Sequence, residues 1–470
     1  MWKRSVHRGV LGIHRHLSSK DASAIFYFGS TQQPPVIPPC CWSVIPNGIR
    51  VITEQTCSPF ACAALFCETG PRYEHTLNNG VSHFLEFVAY KGFCRYQKTS
   101  FLSYMESIGA RFWAKTTREW QAFMGTCPTE NAGDVINVLA RIMNDLQLDD
   151  CELAIARAQY THMLHDVDND PRGLVFDFLH EGAFQGTPLG FSVAGSSGNL
   201  NLICRETLRH HLHKQYQPYR LVVAVSSMFN HHDVVCMVQN DFGCLMQTCA
   251  DPVYWPCRFC GSDVRFRDDS MGFAHSIIAI EAPGYRTKDY MTFKIMEAML
   301  GTWHISRGQG LGTWPGLAFC SEIGKLCVSF ETFYIPYRDI GLFGVYYVVR
   351  KEADQDDMVA MITNFWKHLS ILTVSPEVEY AQNVLKLKFA KEVNGCINSC
   401  MDMGVQMLYT GWRRNLEETC LEVESIKPHA VKEAAKHYFY DRCPAVAAIG
   451  PVESLTDYTR IRAGMFWLRY

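Results

Sequence analysis

His83-Phe84-Leu85-Glu86-Phe87 falls one residue short of H-x-x-E-H, the spacing in which two helical histidines share a zinc ion and the glutamate between them activates its water. Positions 83 and 87 lie four apart and so on one face of a helix. Phe87 has no lone pair to give a metal, so the motif keeps His83 and Glu86 and loses its third member. The surroundings predict the helix itself. Asn78-Asn79-Gly80 forms a turn, residues 81–91 run as an apolar helix, and Gly92 ends it.

Working outward, 470 residues exceed what one core usually organises, and 48% of them are hydrophobic, so the chain has material for two large cores. Strands are expected at 49–54 and 61–67, alternating with helices at 81–91, 99–108, 132–147 and 150–168. After a Pro-, Cys- and aromatic-rich stretch from Asp251 to Cys260, strands at 276–281, 327–332 and 341–349 alternate with helices at 288–300, 355–371 and 376–392. Both halves read as α+β layers. In each, an apolar strand ends in a turn that leads to a helix, at 66–71 and again at 279–284, which points to duplication. No apolar run approaches the roughly 18 residues that cross a bilayer, so membrane association is expected through partners.

The first twenty residues carry Lys3, Arg4, Arg8, Arg15 and Lys20 with no acidic residue before Asp21, and Trp2, Val6, Val10 and Leu17 can share one helix face. This is the pattern of a mitochondrial transit peptide. Without it, 44 basic residues become 39 against 47 acidic ones, a formal charge of −8. Bulk charge therefore argues against a nucleic-acid partner. The twenty cysteines are expected as free thiols, mostly in the core. Cys257-x-x-Cys260 and the pair Cys396 and Cys400 lack a second pair at zinc-finger spacing, and Gly308-Gln309-Gly310-Leu311-Gly312 lacks the GK[ST] ending of a phosphate loop.

Further segments carry a resemblance. They are Lys91-Gly92, Thr117-Arg118-Glu119, the run Val175-Phe176-Asp177-Phe178-Leu179-His180, then Phe184-Gln185-Gly186-Thr187-Pro188-Leu189, Cys443-Pro444-Ala445-Val446 and the end Arg460 to Tyr470. With residues 78–86 they make roughly 40–470 resemble the mitochondrial processing peptidase family, peptidase family M16, in its beta-type subunit and the related core protein 1 of the cytochrome bc1 complex. The terminal block and the Phe-Gln-Gly-Thr-Pro-Leu run look most like the latter. The resemblance implies two similar α+β domains, each a mixed or antiparallel sheet layered with helices, enclosing a cavity. The expected bounds are 1–20 for the transit peptide, 38–250 for the first domain, 251–262 for a linker and 263–470 for the second.

The resemblance also implies that the family's third zinc ligand, a glutamate on a later helix, is replaced by Met163, and that an additional acidic residue is replaced by Ala156. A neutral thioether is a poor substitute for a carboxylate at zinc. Trp113-Ala114 stands on the edge strand where the family has asparagine before alanine, and its indole is expected to crowd the cleft. His162 and His165 flank Met163, but successive helical positions turn by about 100°, so neither shares its direction. His83 and Glu86 are therefore expected to be remnants, with no metal or other cofactor bound. The implied function is a catalytically silent core subunit of the bc1 complex on the matrix side of the inner membrane. Its implied partners are a core protein 2-like or alpha-type subunit, cytochrome b and the other bc1 subunits. The other implied function is a beta-type processing peptidase, with zinc, cleaving presequences.

Overall fold

The structure, a computed structural model, describes residues 40–90, 98–144, 150–246, 255–307 and 316–467. The expected transit peptide at 1–20, residues 251–254 of the expected linker, the Gly308–Gly312 stretch and the last three residues lie outside the described residues.

Two six-stranded sheets organise the fold. The first is built from β1 (Cys40–Val44), β2 (Arg50–Gln55), β3 (Phe60–Cys67), β4 (Arg111–Thr116), β5 (Gln121–Pro128) and β6 (Leu221–Ser227), in the order β1-β2-β6-β3-β5-β4. The second is built from β7 (Asp263–Arg267), β8 (Phe273–Pro283), β9 (Thr302–His304), β10 (Ser329–Pro336), β11 (Ile340–Arg350) and β12 (Ala445–Gly450), in the order β7-β12-β8-β11-β10-β9. In each sheet the last strand lies parallel beside one early strand, β6 against β2 and β12 against β7, while the other neighbours are antiparallel. Five strands therefore correspond one to one, β2-β6-β3-β5-β4 with β7-β12-β8-β11-β10. This is the duplication foreshadowed by the strand-turn-helix echo, and the fold is the expected pair of α+β domains.

Linear order does not predict how the sheet faces are covered. One face of the first sheet packs under the helices Val81–Ala89 and Ala132–Asn144. Its other face, with Ile52, Cys62, Ala64, Phe66 and Met124, is covered by the helix Cys396–Thr410 from the far end of the chain, through Cys400, Met403 and Met407. The reverse also holds. The helix Pro171–Ala183 lays Val175, Leu179 and Ala183 on Ile277, Ala279, Leu342 and Ala447 of the second sheet. Each half thus gives one helix to the other, which makes the two cores interdependent. Both crossings use a glycine: a Cβ on Gly182 would lie 2.4 Å from Ser262 Oγ, and one on Gly404 would lie 2.0 Å from the Phe66 ring.

Buried charge reinforces the exchange. Arg72 pairs with Glu119 and, at 2.8 Å, with Asp339, while Glu119 also accepts from the Arg338 amide at 3.0 Å and the Tyr409 hydroxyl at 2.7 Å. On the helix Cys396–Thr410, Ser399 donates to Glu54 of β2, and Arg413 bridges Glu54 and Asp402. Burial would lower Arg72, but the hydrogen bonds it donates to Asp339 and the charge of Glu119 outweigh it and raise its pKa.

Two histidines are held neutral in the interior. His211 lies against the Ser82 and Thr69 hydroxyls at 3.2 and 3.3 Å, and burial, with nearby Arg220, His210 and Lys214, pushes its pKa down to about 3. His180 bonds the Phe176 carbonyl and the Tyr337 hydroxyl, and burial with Arg118 pushes it well down. Below an unfolded value of about 6.5 the unfolded chain takes up a proton at each site and the folded chain does not. The stability present above that pH is therefore lost as pH falls, by about 1.4 kcal/mol per pH unit for each histidine. For His211 the window runs from about 6.5 down to about 3. His211→Gln is expected to flatten the fall of the urea midpoint between pH 6.5 and 4.5 by one proton's worth; an unchanged slope would show that this imidazole is not held neutral.

The cysteines among the described residues are free, but the expectation that most are core residues does not hold. Cys62, Cys67, Cys127, Cys327 and Cys400 are buried, while Cys41, Cys57, Cys151, Cys236, Cys244 and Cys443 are exposed. The exposed ones lie on the edge strand β1, on solvent-facing helix positions and in turns, where backbone position decides exposure. Among the described residues no helix is long and apolar enough to cross a membrane.

Candidate metal centre

The helix Val81–Ala89 starts at Gly80, whose φ of 96° and close approach to Gly195 suit only glycine. Its first amides are capped from a distance. The Glu74 carboxylate accepts from the amides of Gly80 at 2.8 Å and Ser82 at 2.9 Å and from Asn79 Nδ2 at 3.1 Å, placing an acid at the positive helix end. Burial nevertheless pushes the Glu74 carboxyl up. Phe84, Leu85 and Val88 anchor the helix in the first core, which leaves His83, Glu86 and Phe87 half-buried on the other side.

His83 Nδ1 lies 2.7 Å from the Tyr160 hydroxyl, and that hydroxyl donates to the Ala194 carbonyl at 2.8 Å. A phenol has one proton, and a carbonyl can only accept. The Tyr160 oxygen must therefore accept from His83, which fixes the imidazole with its proton on Nδ1 and a lone pair on Nε2. Burial lowers the His83 pKa against the opposing charge of Glu86. Glu86 accepts from the Thr116 hydroxyl of β4 at 2.5 Å, and Thr116 in turn accepts from Gln121 Nε2 at 2.7 Å.

Phe87 turns its ring edge-on to Tyr160, with centroids 5.7 Å apart. Tyr160 makes the same kind of contact with His83 at 5.6 Å and Phe84 at 5.3 Å, so one buried phenol occupies the middle of the motif. It lies on the helix Asp150–Asp168, which packs against Val81–Ala89 and carries Met163 one turn further on. Met163 is half-buried against the first core, Ala156 is buried, and His162 and His165 are exposed. Trp113 pairs across from Met124 and packs with it on the opposite sheet face from Ala114, away from the helix of His83. It therefore does not crowd the His83 side; strand alternation, which sends neighbouring side chains to opposite faces, is the reason.

Tyr160, Thr116 and Gln121 carry no motif signal and were not expected at this site. The helical spacing alone could have raised Tyr160, which stands three residues before Met163. Its partner across the sequence could not be found that way.

The donors at this point are one imidazole nitrogen and one carboxylate, beside a phenyl ring and a phenol, and the neighbouring helix brings a thioether, Met163, where the resemblance expects a carboxylate. A catalytic zinc takes three protein donors of the nitrogen, oxygen or thiolate kind. Among the described residues no three His, Cys, Asp or Glu side chains gather as a metal-holding group. The residues present do not fit zinc.

Comparison with known proteins sets this site in its family. The family model for insulinase, peptidase family M16, matches residues 50–197, and that for the peptidase M16 inactive domain matches 203–385. Cytochrome b-c1 complex subunit 1 of Rattus norvegicus is 35% identical over 431 residues, covering 91% of this chain and 90% of the relative. The chain belongs to the peptidase M16 family. Within that family it is also 31% identical to the mitochondrial-processing peptidase subunit beta of Mus musculus, over 98% of this chain and 97% of the relative. Among solved M16-like structures, a chain of complex III from Candida albicans superposes with a TM-score of 0.83 at 25% identity, covering 91% of this chain and all of that one. A protease from Helicobacter pylori superposes with a TM-score of 0.79 at 15% identity, over 88% of this chain and 100% of the other, which speaks to the fold alone.

Proposed function

We propose that the chain is a catalytically silent core subunit of mitochondrial ubiquinol–cytochrome c reductase, supporting assembly of the complex from the matrix side of the inner membrane. The observation that carries this is the donor set of the His83 site, where Phe87 packs on Tyr160 and the thioether of Met163 is half-buried against the first core, leaving no means of holding the water that Glu86 would activate. Similarity to cytochrome b-c1 complex subunit 1 and to a complex III chain supports the setting. The partners are then a core protein 2-like chain and, through the assembled complex, cytochrome b. Membrane attachment runs through those partners, and residues 1–20 direct import.

A beta-type processing peptidase is the second reading, favoured by the 31% identity to that subunit and by the retention of His83 and Glu86. The two part in a native gel of detergent-solubilised mitochondria expressing tagged chain. Co-migration with cytochrome b is expected. Migration only with an alpha-type peptidase subunit, together with presequence cleavage by the purified pair, would sink the core-subunit proposal.

A further inference from the structure

A cleft of about 870 Å³ lies away from the His83 site, between the helices Ser375–Glu392 and Cys396–Thr410, with Lys115 of β4 on its rim. Its place has a counterpart in the first half. There the helix Asp150–Asp168 runs into Pro171–Ala183, and the cleft of about 640 Å³ beside that corner carries Asp168, Asp177 and Glu181. The second-half cleft carries the opposite charge, with Lys115, Lys388, Lys391 and Arg414 against Glu392 and Asp402. Asp402 is held by Arg413 at 3.2 Å and Gln406 at 2.7 Å, and Glu392 lies in the field of Lys388 and Lys294. Lys388 and Arg414 have carboxylate partners in Glu297 and Glu422. Lys115, which stands 5.9 Å from the Trp120 ring, and Lys391 have no carboxylate partner among the described residues.

Between these cations the walls are apolar, made by Val384, Leu387, Met401, Val405 and Leu416, and Val384 and Leu387 are 38% and 58% exposed. Both long walls are helices, whose backbone amides and carbonyls are already paired internally. Along these two helices a peptide strand would find no backbone groups to bond; only the edge strand β4 at the rim offers any, so most of the peptide's own groups would be buried unpaired. An acyl chain makes no such demand. We propose that this cleft binds an anionic amphiphile, an aliphatic chain ending in a carboxylate or phosphate, with the chain along Leu387 and Val405 and the anion at Lys115 and Lys391. The anion then joins the edge strand of the first sheet to a helix of the second half.

The full chain titrated calorimetrically with dodecanoate, below its micelle concentration, tests this. Saturable binding is expected, weakened about tenfold in Lys115→Gln/Lys391→Gln and unchanged in the control Lys214→Gln/Lys432→Gln, whose lysines lie outside the cleft. Leu387→Ser is expected to weaken it as well. All these positions are at the surface, so the fold is kept. Co-sedimentation with phosphatidylcholine vesicles, with or without phosphatidylglycerol, separates the sources. Retention that needs phosphatidylglycerol and the two lysines identifies a lipid headgroup; dodecanoate binding without retention identifies a free acyl carboxylate. Non-saturable uptake, equal affinity in both lysine pairs, or no binding in either assay overturns the proposal.

Discussion

Gly404→Ala is expected to destabilise the protein by about 3 kcal/mol, although alanine is the better helix former by about 1 kcal/mol. The added methyl would lie 2.0, 2.3 and 2.4 Å from three ring carbons of Phe66. Phe66 is fully buried on β3 and rests against Trp120, with ring centroids 5.9 Å apart, so it has no open side to move toward. The steric term is therefore expected to outweigh the propensity gain. Trimming the ring should relieve it. Phe66→Leu alone is expected to cost about 1–2 kcal/mol, and the double variant to be more stable than the sum of the two costs by more than about 1 kcal/mol. Urea unfolding of the four proteins measures that coupling. Simple additivity would mean that the helix Cys396–Thr410 does not cross β3 at this distance. Since a domain is usually stable by only about 5–15 kcal/mol, the single change would remove a large share of the margin.

The same crossing shows where sequence reading stops. The apolar strands and amphipathic helices were legible because alternation and helical spacing are local. Even the duplication left a trace, in the strand-turn-helix segments at 66–71 and 279–284. The exchange of helices left none. Met403 and Met407 look like any buried helical stripe, and nothing nearby says that their partners are Cys62 and Phe66, more than three hundred residues earlier. Glu119 and Asp339 are equally silent in sequence, because what gives each its meaning is Arg72 across a different segment.

At the site, residue types are legible in sequence and their surroundings are not. Phe87 stands out by its helical spacing from His83, and Met163 is singled out only by the family resemblance. That Phe87 rests on Tyr160, that Tyr160 sets the tautomer of His83, and that Thr116 occupies Glu86 all depend on tertiary placement. The indole of Trp113 is the converse case: its bulk is evident in the sequence, but the sheet face it takes is settled by the register with Met124.

Restoring the donors is expected to restore the metal before any activity. In Phe87→His/Met163→Glu, the new imidazole stands four residues from His83 on one helix, and the new carboxylate comes from the neighbouring helix that already supplies Tyr160. His83 needs no rearrangement, because its Nδ1 proton is engaged by Tyr160 and its Nε2 lone pair is free, the usual outer-sphere arrangement of a zinc histidine. Without metal the variant is expected to be less stable by about 2 kcal/mol, since an aromatic ring is lost from a packed cluster and a carboxylate is brought toward the core. Zinc at a hundred times its dissociation constant would return about 2.7 kcal/mol. Elemental mass spectrometry should find almost no zinc in the parent and about one per chain in the double variant, with each single variant well below it. Presequence cleavage should still lag, because the Thr116 hydroxyl holds Glu86 Oε2 and fixes the carboxylate's orientation toward β4; Thr116→Ala in the same background is the change expected to bring it forward. If the double variant holds no more zinc than the parent, Met163 is not the position that faces His83 across the two helices.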